Sequence, residues 1–288
     1  MKGRWIDLHT HSTASDGSFT PTELIRYAAT KRLGALALTD HDCVDGLNEA
    51  LAEGERLGIE VISAVELSAD HPEGTMHILG FFVDRRHEGF SARLRRLQEA
   101  RRERNPKIVQ KLQGLGLNIT YEEVVAASGG GQVGRPHFAK VLVRKGYVSS
   151  MQEAFERYLK RGAPGYVEKF RFSPQDAIAA IHEAGGVAVL AHPFTLYKEP
   201  SALLEPLLSV LAENGLDGME VIYSTYSEGQ GRYYRELAER YHLLPSGGSD
   251  FHGAHKPGID LGVGTGKLQI PFELLEPLRK RSRSPSSV

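Results

Sequence analysis

Short apolar runs rich in β-branched residues recur along the first third of the chain, at residues 5–8, 35–39, 59–65 and 76–83, and each reads as a strand. Amphipathic stretches with helical spacing separate most of them. The first helix is signalled by Thr20 at its N-cap, Pro21 at its first position, Glu23 completing a capping box, and Gly34 just beyond its end. The second stops at Gly58 in the same manner. Between 91 and 171 the alternation breaks, because apolar positions keep helical spacing with no convincing strand among them. It resumes at Ser173-Pro174-Gln175-Asp176, which opens a helix ended by Gly185-Gly186. Strands follow at 187–190, 218–222 and 243–245, with a helix over 226–241 between the last two and a short helix over 273–279 near the end. Seven strands alternating with helices place the chain in the α/β class and predict a parallel sheet, closed as a barrel or left open. Residues 91–171 then form an inserted helical subdomain, and 1–90 with 172–288 form the main domain. Residues 279–288 are basic, Ser-rich and without apolar periodicity, as a frayed tail is.

Composition removes several function classes. The 35 Lys+Arg against 36 Asp+Glu leave a net charge of -1, so any attraction for phosphate must be local rather than a property of the whole molecule. The single Cys43 excludes an internal disulfide framework and a cysteine-built zinc site, and fits a reducing compartment. No window approaches the ~18 apolar residues of a membrane span, and the start lacks a signal-like apolar stretch. The expectation is a cytoplasmic protein without a membrane role and without an obligate protein partner.

The candidate chemistry sits at strand ends. His9-Thr10-His11 closes the first predicted strand, where the two-residue period puts both imidazoles on one face, and Asp16 follows in a polar loop. The second strand runs into Thr39-Asp40-His41-Asp42, the third ends in Glu66, the fourth contains His77, the fifth ends in His192, and the seventh leads to Asp250 and His252. Catalytic groups of βα barrels lie at the carboxyl ends of strands, and His77 is the least well placed of the set for that rule. A lone His-x-His or a single acid after a strand is ordinarily surface, core or cap. Recurrence at one end of apolar strands is instead what a multinuclear metal site needs. Nitrogen and oxygen donors without thiolate suit zinc, manganese or iron. Nine candidates are too many for one ion and fit two or three, with Glu66 as the bridging carboxylate and ions ~3.5–4 Å apart, the spacing used for in-line displacement at phosphorus. His71, His87, His182 and His242 read as ordinary histidines, His137 is undecided, and Asp40 and His255 are candidates for orienting a ligand from behind.

Phosphate recognition has its own candidates in the insertion. Arg101, Arg104 and Asn105 interrupt a helical apolar pattern, as either a solvated face or a phosphate clamp. Gly134-Arg135-Pro136-His137 is more specific: Pro136 suits the first position of a helix, which puts Arg135 where free N–H groups and the helix dipole favour an anion. Arg135 can also grip phosphate bidentately, and Lys169 with Arg171 stands where the chain re-enters the main domain.

Through Asp7-Leu8-His9-Thr10-His11-Ser12, Thr39-Asp40-His41-Asp42, Val65-Glu66, His77-Ile78-Leu79-Gly80, Ala191-His192-Pro193 and Ser249-Asp250-Phe251-His252 the chain resembles the PHP family, named for polymerase and histidinol phosphatase. The resemblance implies a distorted (β/α)7 barrel with up to three metals. One would be held by His9, His11, Glu66 and Asp250, another by Glu66, His77 and His192, and a third by Asp16, His41 and His252, with His77 or His192 alternatively contacting phosphate. The Arg-bearing insertion looks like the subgroup of small PHP phosphoesterases that act on nucleotides, including nucleoside 3′,5′-bisphosphate 3′-phosphatases and a 5′-to-3′ exoribonuclease. The expected reaction is phosphomonoester hydrolysis, with two or three divalent transition-metal ions absorbing charge on the phosphoryl oxygens and His192 protonating the leaving alcohol. Arg135 is the second catalytic candidate. The substrate is a small phosphorylated molecule, a nucleotide or short RNA. Rival readings are a histidinol-phosphate phosphatase, a metal-dependent amidohydrolase sharing His-x-His on its first strand, and a non-catalytic PHP module.

Overall fold

The computed structural model describes residues 5–197 and 203–282. Seven strands, β1 (Ile6–Thr10), β2 (Ala35–Leu38), β3 (Glu60–Ala69), β4 (Met76–Phe81), β5 (Val187–Leu190), β6 (Gly218–Tyr223) and β7 (Leu244–Gly248), pair in sequence order into one sheet. The sheet curls until β1 meets the end of β7, where Asp250 N donates to His9 O at 2.9 Å and His11 N to Phe251 O at 2.9 Å. Closure demands a glycine at 248, because a Cβ there would lie 2.6 Å from the backbone nitrogen of His9. The result is a distorted barrel of seven strands.

The expected parallel order holds for every pair except those of β4, which runs antiparallel to both β3 and β5. The reason is the six-residue turn 70–75, too short for the crossover that a parallel pair requires. Alternate residues of the first five strands, Ile6, Leu8, Ala35, Ala37, Ile62, Ala64, Leu79, Phe81, Val187 and Val189, form one buried cluster that α10 (Leu275–Arg281) covers with Leu275 and Leu278. Helix α10 continues through Arg281, so the basic tail starts later than expected, and residues 283–288 lie outside the described part.

Helices α1 (Pro21–Thr30) and α2 (Leu47–Leu57) pack outside β2 and β3. Helix α1 has the expected capping box between Thr20 and Glu23, and α2 ends on Gly58 in the left-handed conformation. Residues 91–171 hold α3 (Glu88–Gly114), α4 (Tyr121–Ala127), α5 (Arg135–Arg144) and α6 (Met151–Ala154), with no strand among them. These helices share a buried cluster of their own, built from Ile108, Leu112, Ile119, Phe138 and Leu142 among others. Helix α3 is one continuous helix straight through Arg101–Asn105, where the sequence pattern is interrupted. The remaining barrel helices are α7 (Pro174–Glu183), α8 (Leu204–Glu213) and α9 (Glu228–Arg240); α8 has no counterpart among the elements expected from the sequence.

Candidate active site

Inward positions of the barrel are apolar at one end and turn polar at the other. Along β3 they pass from Ile62 and Ala64 to Glu66, and along β6 from Gly218 to Glu220. The polar end is where the strands deliver His9, His11, Asp16, His41, Glu66, His192, Asp250 and His252. His77 joins them because β4 is reversed. Its N-terminal end faces the same mouth, with Ser68 and His77 paired across the ladder. A one-residue register shift of β1 against β2 between Asp7 and Thr10 bends the strand where it carries His9.

Glu66 is fully buried at the centre. Its Oε2 lies 3.4 Å from His9 Nε2, 3.3 Å from His11 Nε2 and 2.9 Å from His41 Nδ1. Its Oε1 lies 2.7 Å from His77 Nδ1 and 2.9 Å from His192 Nε2. Asp250 Oδ1 stands 3.5 Å from His9 Nε2, 3.3 Å from His11 Nε2 and 3.3 Å from His252 Nδ1. Asp16 is 3.3 Å from His252 Nε2 and 3.7 Å from His41 Nε2.

His192 Nε2 and Glu66 Oε1 form a hydrogen bond, but most of the other atoms are close without being aimed at one another. His9 Nε2, both nitrogens of His11, His41 Nδ1, Glu66 Oε2 and Asp250 Oδ1 are buried and lack a partner of hydrogen-bond geometry. Leaving so many buried polar atoms unsatisfied costs about 1–3 kcal/mol each. Four overlapping groups bring their donor atoms within 4.8 Å of each other: His11, Asp16, His41 and His252; His9, Glu66 and His192; His9, His11 and Asp250; His41, Glu66 and His77. Convergence of orphaned nitrogen and oxygen donors is the chemistry of a divalent-ion centre, and the residues fit one. The electrostatics agree. Burial pushes the Asp16 and Glu66 carboxyls up, but the surrounding imidazoles hold both well below the usual range. Burial would lower His11, yet Asp250 and Glu66 raise it to about 9. Burial lowers His77 to about 4 and His252 below its usual value, so these imidazoles keep free lone pairs beside the ionised carboxylates, as a cation's ligands must.

Several groups brace the cluster from behind. Asp40 accepts from Ser12 N at 2.8 Å, Ser12 Oγ at 2.6 Å and Ser15 Oγ at 2.5 Å, so it shapes the loop that carries Asp16 rather than touching an imidazole. His255 Nδ1 bonds Asp16 O at 2.8 Å. Glu220, Tyr223 and Lys256 were not singled out from the sequence. Tyr223 donates to Asp250 Oδ2 at 2.5 Å and Lys256 to the same oxygen at 2.6 Å. The available signal for Glu220 was a lone acid in the otherwise apolar strand β6.

Beside the cluster opens a cavity of about 530 Å³ lined by Asp16, His41, His77, Arg101, Arg104, Arg135, Lys169 and Arg171 together with the turn 70–75. Arg104 is buried; burial, then repulsion from Arg101, Arg135 and Arg171, holds its guanidinium well below the usual arginine range. Arg135 is pushed down to about 10 by burial and Lys169 to about 7 by burial, the latter opposed by Asp42. Asp42, fully buried, is the partner of Arg101 and Lys169, 2.5 Å from Arg101 Nη2 and 3.5 Å from Lys169 Nζ. Two expected contacts are placed differently. Asn105 does not line this cavity: its Oδ1 accepts from Arg104 at 2.7 Å and its Nδ2 donates to Val133 O at 3.0 Å, so it braces Arg104. Helix α5 starts at Arg135 with Pro136 second, and Arg135 Nη1 donates to Leu159 O at 3.1 Å. A larger cavity of about 640 Å³ on the far side of Arg101 holds none of the clustered histidines.

A closed seven-stranded α/β barrel carrying a His/Asp/Glu centre at its mouth defines a class of metal-dependent hydrolases. The PHP domain model matches residues 7–168, and the chain belongs to the PHP family. It is 38% identical over 258 residues to the 3′,5′-nucleoside bisphosphate phosphatase of Chromobacterium violaceum, covering 89% of this chain and 90% of the relative. It is 38% identical over 267 residues to the 5′-3′ exoribonuclease Rnm of Escherichia coli, covering 92% and 89%. A crystal structure from Bifidobacterium adolescentis, provisionally assigned as a metal-dependent phosphoesterase, superposes with a TM-score of 0.85 at 29% identity over 96% of both chains. The protein is therefore a phosphoric ester hydrolase of the metal-dependent kind. No helix among the described residues is long and apolar enough to cross a membrane.

Proposed function

We propose that the chain removes the 3′-phosphate of nucleoside 3′,5′-bisphosphates, with short RNA degraded from its 5′ end as a second substrate of the same site. The observation that carries this reading is the basic cavity beside the histidine cluster. Arg101, Arg104, Arg135, Lys169 and Arg171 line it; the buried Asp42 pairs with Arg101 and Lys169, while Arg104 and Arg135 bond only neutral groups, so cationic donors remain beyond what one phosphoryl group at the cluster would use. A second phosphate on the same substrate supplies the missing anion. The relatives' names point the same way.

Two or three divalent ions, manganese, zinc or iron, would be held by His9, His11, Glu66 and Asp250, by Glu66 with His77 and His192, and by Asp16, His41 and His252. Such ions supply Lewis acidity towards the phosphoryl oxygens and lower the pKa of water. The protein's own groups do the rest. Arg101, Arg104, Arg135 and Lys169 bind and orient the phosphates, and residues 91–171 act as a cap that carries most of these cations over the barrel. His192, with Nδ1 3.0 Å from Thr195 Oγ1 and Nε2 2.9 Å from Glu66 Oε1, acts as an ion ligand and so has no proton on that nitrogen to give the leaving alcohol. We place the enzyme in the cytoplasm, where nucleotide substrates are found and where the buried thiol of Cys43 stays reduced.

The test is phosphate release by the purified, metal-loaded protein from a nucleoside 3′,5′-bisphosphate, a short RNA and histidinol phosphate. The bisphosphate is expected to give the highest kcat/KM. A higher value for histidinol phosphate would remove the nucleotide assignment while leaving the phosphoesterase intact.

A further inference from the structure

Glu220 is fully buried on the inward face of β6, and both its oxygens are used. Oε1 lies 3.0 Å from His9 Nδ1, and Oε2 accepts from the backbone N–H of His192 at 2.7 Å. The second bond fixes an unfavourable backbone. His192 has φ 27° and ψ 62°, a region that L residues rarely occupy, and it precedes Pro193, which disfavours helical ψ values as well. The first bond settles a proton. An acceptor facing Nδ1 places the hydrogen of neutral His9 on Nδ1 and leaves the Nε2 lone pair turned towards Glu66 and Asp250. His9 and His192 approach Glu66 from opposite oxygens, at 3.4 Å and 2.9 Å, and the three donors lie within 4.8 Å of one another.

We propose that Glu220 is a positioning residue which sets the His9 tautomer and the His192 backbone at the same time, so that one buried carboxylate supports the two ion positions that share Glu66, one served by His9 and the other by His192. The inference rests on the metal-centre reading given above. Only an acceptor at both ends fits this place. In Glu220→Gln the shape is kept, but one end of the amide must be a donor. If the amide nitrogen faces His9, the ring proton moves to Nε2 and that nitrogen can no longer bind a metal. If it faces His192, two N–H groups oppose each other and the strained backbone loses its anchor.

The experiment compares wild type with Glu220→Gln by elemental analysis, by chelator competition, and by thermal unfolding of the chelator-stripped proteins. The variant should lose about one ion per chain and bind that ion roughly 10- to 100-fold more weakly, whether or not loss of the His192 anchor also lowers the melting temperature of the stripped protein. A variant that retains the wild-type ion count and affinity overturns the inference, as does a loss of stability in the stripped protein with no change in ion binding. Should the variant not fold, ¹⁵N spectra of histidine-labelled, zinc-loaded wild type decide the question. His9 should show a protonated Nδ1 and a zinc-bound Nε2, and the opposite tautomer overturns the proposal. A wild type that binds no metal is a different failure, since it removes the metal centre itself.

Discussion

Arg135 separates two kinds of contribution at the scale of the single residue. Its guanidinium lines the cavity yet also reaches Leu159 O and lies over the rings of Phe155 and Tyr166, so it both braces the inserted helices and faces the cavity. Losing a charge-assisted contact to phosphate costs about 1.5–3 kcal/mol, so Arg135→Ala is expected to lower kcat/KM roughly 10- to 150-fold with the metals retained. Arg135→Lys keeps the charge without the planar fork and should recover part of this. A rise in KM alone places the contact on the remote phosphate, a fall in kcat places it on the transferred group, and wild-type kinetics in the Ala variant would remove the clamp. Lys169 makes a different prediction. Burial lowers its ammonium to about 7, so it is charged below that pH and neutral above it. The second ionisation of a phosphate monoester falls near pH ~6, so affinity should peak between the two values and weaken as pH rises through about 7. Lys169→Arg, charged throughout, should flatten the alkaline limb of a KM–pH profile, and an unaltered profile would show that Lys169 does not meet the substrate.

Elements explain which of these residues were legible. Helices α1 and α7 begin where capping signals place them, because Thr20 and Ser173 bond N–H groups of their own first turns, a purely local effect. Strand β4 is the counterexample. Its composition reads as a strand, and the apolar pattern ends the preceding strand at 65, which leaves a link of ten residues before 76; only the extension of β3 to Ala69 shortens that link to the turn 70–75 that forces the reversal. Reversal moves His77 from the far end of its strand to the mouth. Strand β7 shows the converse, a local oddity with a tertiary cause. Gly247-Gly248 weakens a strand taken alone, yet at 248 only glycine lets β7 lie against His9. Gly248→Ala is expected to cost about 1–3 kcal/mol through overpacking, read as a lower urea midpoint, and to reduce metal content by displacing His9. An unshifted midpoint would mean that the barrel seam yields at no cost.

For the whole molecule the largest lever is the metal centre. Ligands that bind only the folded state stabilise it by mass action, about 2.7 kcal/mol at a free concentration one hundred times Kd. Stripping with chelator should abolish turnover and lower Tm, with manganese, zinc or iron restoring both; full activity in chelator would sink the metal-dependent reading of this site. The sequence by itself determined the α/β alternation, the starts of α1 and α7, the helical character of 91–171 and the residue types of the cluster, since each follows from periodicity, capping or donor chemistry carried by the chain. Tertiary structure alone decided that β4 is antiparallel, that Asn105 braces Arg104 instead of lining the cavity, that Asp42 anchors Arg101 and Lys169, and that Glu220 joins His9 to His192. The partners in these contacts stand up to 211 positions apart, as Glu220 and His9 do. Spacing in sequence carries no information about Glu220 and His9, because they meet only when the sheet closes on itself.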